Sequence, residues 1–223
     1  MEPSALPLAC ALTLAYGTAY VGRPNDRIGM PTLSIHIKHV RDAAPVLVLA
    51  REDGSTTTQR LVVGYGPVHD LAHYVVERAL ALSDAFLGLI ASGWDIGDFE
   101  VKGTAGRLPA DALFAEAAAG RLSAEEMIQQ FTSVENFRWS IAMTLTHAGH
   151  AQYIPPDIPA ATLAAMRTEL AELRRRWTAL APGETLELAF VTARRSPCPR
   201  PPAAECATEV ASSNDRNAHR GRI

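Results

Sequence analysis

The spacing of apolar residues changes at Gly66-Pro67, and that change limits the folds open to this chain. Before it, Leu33, Ile35 and Ile37 alternate with Ser34, His36 and Lys38, the period of two that a half-buried strand requires. Two further strand-like runs, 45–51 and 58–65, flank Asp53-Gly54, a pair suited to the positive φ angles of a type I′ hairpin turn. After Pro67 the apolar positions Val68, Leu71, Ala72, Val75, Ala79, Leu82, Phe86 and Leu89 recur every three or four residues up to Gly93. That stripe predicts one helix of about 25 residues, with a kink at Ser83-Asp84. The result is an α+β fold: an N-terminal antiparallel β-meander packed on a bundle of about four helices. A late alternating run, 185–191, is expected to return to the sheet with Leu186, Leu188 and Phe190 inward.

Three further helices are expected. One is short, 109–119. The next starts at Ser123-Ala124-Glu125-Glu126, where Ser123 and Glu126 can form a capping box, and carries Met127, Ile128, Phe131, Val134, Ile141 and Leu145. The last covers 159–180, with Leu163, Met166, Leu170, Leu173, Trp177 and Leu180 forming a stripe that either attaches it to its own domain or makes a homodimer seam.

The ends differ from the middle. Residues 1–29 hold an apolar stretch whose flank is acidic and which Pro7, Thr13, Gly17 and Thr18 dilute. They are expected to be a poorly ordered appendage or the product of a misplaced start, rather than a signal or a membrane span. Residues 196–223 are rich in proline and scattered charge and are expected to be a disordered tail. A single domain is thus expected over 30–195. All three cysteines, Cys10, Cys198 and Cys206, lie in the ends, so this domain has no thiolate nucleophile, cysteine zinc site or internal disulfide. A cysteine-free core suits the cytoplasm. With 21 Lys and Arg against 24 Asp and Glu, the chain has a formal charge of -3, which speaks against nucleic acid or an anionic membrane as partner.

Chemistry concentrates at His69-Asp70-Leu71-Ala72-His73, with Glu77 one turn on. Histidines at i and i+4 share a helical face and can chelate one divalent metal such as zinc. In zincin helices a Glu follows the first His directly as general base; here Asp70 stands there, one methylene shorter. Glu77 lies roughly 12 Å along the axis from His69, too far for a straight helix to put all three on one ion, so it orients His73 or serves a second metal. The third ligand is expected from His147 and His150, or from Asp95, Asp98 and Glu100. A purely structural account also exists: Asp70 complements the helix dipole and His73 hydrogen-bonds Glu77. An adjacent His-Asp pair also marks metal-dependent phosphohydrolases, but their all-helical scaffold conflicts with the β-rich start. Phosphate-binding glycine loops and a nucleophile elbow are missing from the sequence.

The stretch HDLAHYVVE, followed by LSDAFLGLIASG, resembles a loosely defined group of uncharacterised bacterial proteins that join a small β-meander to a helix of the form H-D-L-x-H-x-x-V-E. The resemblance covers 32–101 and implies the fold; it implies no activity. Two functions follow as expectations. One is a metal-dependent hydrolase acting on an unknown small molecule, with His69 and His73 on the metal and Asp70 or Glu77 handling protons. The other is a non-catalytic interaction or regulatory module that uses the last helix as its partner surface.

Overall fold

A computed structural model describes residues 32–101 and 103–192. The appendage over 1–29, the tail over 196–223 and all three cysteines lie outside the described residues. β1 (Thr32–Lys38), β2 (Val46–Arg51), β3 (Thr56–Arg60) and β4 (Thr185–Val191) form one antiparallel sheet in the order β3-β2-β1-β4. The late strand does return, pairing Ile35 with Leu188 and Leu33 with Phe190. Leu33, Ile35, Ile37, Leu47, Leu49, Leu186 and Phe190 are buried on one sheet face, toward the helices.

The β2-β3 turn is not type I′. Asp53 keeps a negative φ and only Gly54 is left-handed, at 82°. Gly54 N–H donates to the Arg51 carbonyl at 3.0 Å, and Arg51 N–H to the Ser55 carbonyl at 2.9 Å. This is the longer hairpin loop closed by a glycine bulge. β3 is also shorter than expected. Val62 and Val63 are 71% and 72% exposed, and Tyr65 already belongs to a helix.

The helices are α1 (Tyr65–Ala79), α2 (Phe86–Ala91), α3 (Ala110–Ile128), α4 (Val134–His147) and α5 (Ala160–Thr178), with 3-10 turns at Ile96–Glu100 and Ala105–Arg107. The single long helix expected from the stripe is two helices. Ala81 adopts a left-handed φ of 52°, Leu82 N–H donates to the Glu77 carbonyl at 2.9 Å, and Ala81 N–H reaches the Arg78 carbonyl. Those two bonds are a Schellman stop. The apolar period continues across it because α2 packs on the same core.

The capping box expected at Ser123 does not form. α3 runs uninterrupted through it, Ser123 is buried inside the helix, and Glu126 takes an ion pair from Arg174 at 3.0 Å. The true helix start is Ser133, whose Oγ accepts from Asn136 N–H at 3.2 Å. Met127, Ile128 and Phe131 accordingly leave the core stripe and are exposed.

The α5 stripe is covered by its own chain: Leu163, Met166, Leu170 and Leu173 are buried, and α5 packs on α1 and α3. Alanines 112, 115, 117, 118 and 119 line the buried side of α3, and α1 packs along it. Small side chains there allow the two backbones to approach. Among the described residues no helix is long and apolar enough to cross a membrane.

Two substitutions at the α1-α2 break should act in opposite directions. Ala81→Gly removes the left-handed strain and should stabilise the fold by about 0.5–1 kcal/mol. Gly88→Ala drives a Cβ into the Ser83 carbonyl and should cost about 1–3 kcal/mol. Urea denaturation of the three proteins reads both.

Candidate metal centre

Four polar residues of α1 follow one another at intervals of four: Tyr65, His69, His73 and Glu77. Successive members are neighbours along a helix, so their side chains meet in pairs. Tyr65 Oη lies 2.9 Å from His69 Nδ1, and His73 Nδ1 lies 3.1 Å from Glu77 Oε1. The two imidazoles stand edge to face, centroids 4.9 Å apart. Each ring therefore has its Nδ1 held by a partner on its outer side, and each turns its Nε2 to one common point.

That point is occupied by Glu116, supplied by α3. Its Oε2 is 3.0 Å from His73 Nε2, and its Oε1 is 3.6 Å from His69 Nε2. One ligand atom from each of the three residues lies within 4.8 Å of the other two. Tetrahedral zinc with bonds near 2.0–2.1 Å separates its ligand atoms by ~3.3 Å, against 3.0 and 3.6 Å from the two imidazoles to Glu116 here.

Glu77 does not reach this cluster. It is fully buried, and its Oε2 accepts from the amides of Leu87 at 2.8 Å and Gly88 at 3.4 Å. Of the two roles expected of Glu77, proton handling and orienting His73, its contact with His73 Nδ1 and its place outside the cleft lining fit the second. Asp70 is partly accessible and lines the same cleft as His69, His73 and Glu116. Of the residues expected to supply a third ligand, none belongs to the cluster. Asp95 and Asp98 cap the Ile96–Glu100 turn, Asp95 also pairing with Arg51 at 3.1 Å. His147 is exposed, while Glu100 and His150 line the cleft away from the cluster. Two further histidines lie on the sheet side: His36 faces solvent beside Glu187, and His39 bonds the Leu180 carbonyl through Nδ1 at 2.9 Å.

The electrostatics follow from burial and these contacts. Burial alone drives His73 toward its neutral form. Hydrogen bonds and charge from Glu116 and Glu77 outweigh it and lift the imidazole from 6.5 to about 10. The imidazoles of His69 and His73 hold Glu116 well below the usual carboxylate range. Burial pushes Glu77 up, against the pull of His73 and the two amides. Burial likewise pushes Asp70 up to about 6, with His73 and His69 opposing.

Glu116 was not foreseen, because it stands 43 positions from His73 in an alanine-rich segment with no motif around it. Tyr65 was legible in principle, as the residue four before His69. Comparison with family models, curated proteins and solved structures found no match to this chain.

Two outcomes test this geometry without metal. Glu77→Ala leaves Nδ1 of the buried His73 ring and two buried amides without their acceptor and should cost about 3 kcal/mol or more by chemical denaturation. With chelator present, stability should also depend on pH through His73. Its pKa is raised in the folded state, so its contribution is complete below about 6.5 and is lost as pH rises through about 10. His73→Leu should flatten that loss in denaturation measured from pH 6.5 to 10.5.

Proposed function

We propose that the chain binds one divalent metal, zinc by preference, through His69 Nε2, His73 Nε2 and Glu116, and uses it for hydrolysis. The observation that carries this is the paired orientation of the rings: both Nδ1 atoms are held, by Tyr65 and Glu77, and both Nε2 atoms converge on one carboxylate. A ring that serves packing alone needs neither constraint. Histidine ligands with a carboxylate partner on the second nitrogen are the usual arrangement around a protein-bound metal.

Two histidines and a glutamate are three protein ligands, the number that leaves a coordination position open in hydrolytic zinc sites. A zinc ion held there lowers the pKa of water and polarises a carbonyl or similar group. The chain's own residues supply the rest. Glu77 fixes the ring of His73, Tyr65 that of His69, and Glu116 closes the ligand set. Asp70, at about 6 and on the cleft wall, is the group suited to take a proton from water and return it to a leaving group near neutral pH. A cytoplasmic setting belongs to the same proposal, since the cysteine-free domain needs no oxidising compartment.

Metal analysis of purified protein after zinc loading should find one equivalent, lost in His69→Ala, His73→Ala and Glu116→Ala. Glu77→Gln should keep the site and weaken it by about 10–100-fold. A folded wild type that takes up no zinc, cobalt or iron sinks the proposal. Because His73 must give up a proton to bind, calorimetry in buffers of different ionisation enthalpy should show proton release, with affinity rising between pH 6 and 8. Asp70→Asn should retain zinc and lower turnover of a cleaved substrate by about 10²–10⁴-fold.

A further inference from the structure

Resting on that metal reading and deepening it, we infer that the cleft takes a neutral acyl compound, an amide or ester with an apolar or aromatic body, its carbonyl directed at His69, His73 and Glu116. The cleft has a volume of about 510 Å³, within the range of small-molecule sites. Its metal ligands lie on one wall, and an apolar surface begins directly beside them. The ring of Phe86 is 5.4 Å from that of His73, and Phe99 is 5.1 Å from Phe86. Leu108, Leu113 and Leu145 continue that surface. A ligand whose reacting group reaches the metal must lay its body on these side chains.

Charge decides what the reacting group is. Among the described residues that line the cleft there is no lysine or arginine, whereas Asp70, Glu100 and Glu116 are carboxylates. Phosphate and carboxylate substrates are held by guanidinium and ammonium groups, neither of which the described lining of the cleft offers. Gln59 and Thr144 offer neutral hydrogen-bonding groups, which suit an amide or ester. Hydrolysis of such a compound adds water across the acyl C–N or C–O bond and yields an acid with an amine or alcohol. It needs no oxidant or further reactant.

The test is calorimetry on the full, zinc-loaded chain with benzohydroxamate, acetohydroxamate and inorganic phosphate. The two hydroxamates share one metal-binding head, so their difference reads the apolar wall alone. Benzohydroxamate should bind at least about tenfold more tightly, the gain from covering one aromatic ring. Phosphate should not compete. Leu113→Asp should abolish the preference while one equivalent of zinc is still bound; Leu108→Asn serves the same purpose if the first variant does not fold. Equal affinity for the two hydroxamates, competition by phosphate, or a preference that survives both substitutions overturns the inference and leaves the metal reading standing. Failure to take up zinc overturns both.

Discussion

The carboxylate of Glu77 is buried without access to water, and the arrangement around it depends on that fact. A buried carboxylate is tolerated only when its lone pairs are filled. Here one oxygen takes His73 and the other takes the amides of Leu87 and Gly88 in the first turn of α2. The same group therefore fixes where α2 begins after the Schellman stop and which way the His73 ring turns. Phe86, the first residue of α2, is thereby placed against His73 and becomes the start of the apolar cleft wall.

A second buried carboxylate performs a related task on the other side of α3. Glu125 accepts from Arg121, from Arg167 at 2.6 Å and from Thr132 Oγ at 2.5 Å, which ties α5 and the α3-α4 connection to α3. Arg174 reaches Glu126 one residue further on. These ties join α5 to α3, while the alanine side of α3 packs on α1, where Glu116 stands opposite the two histidines. Pairs of this kind specify geometry more than they add stability.

The local rules succeeded where a residue's chemistry left one solution and failed where packing chose among several. The helix ends at Gly93 and at Gly149 follow the glycine rule, with left-handed φ angles of 108° and 86°. The stops at Ala81 and Gln129 use the same left-handed geometry without glycine, so no residue type announces them. Tertiary contacts of Leu82 and of the α3-α4 connection offset the strain. Ser123-x-x-Glu126 satisfies the capping-box pattern, yet the helix-forming run before it continues, and both side chains find partners across the bundle instead.

The sequence by itself determined the alternating strands and the pairing of His69 with His73. Each follows from a period of two or of four along a continuous backbone, which needs no partner to be read. Only the tertiary structure decided that the last strand pairs with β1, that Glu116 joins the two histidines, that Glu77 also accepts from the first turn of α2, and that the α5 stripe is covered within the chain. Those outcomes depend on which element faces which, a choice made by side-chain volume and by the need to satisfy buried charge between groups as far apart as His73 and Glu116, 43 positions along the chain.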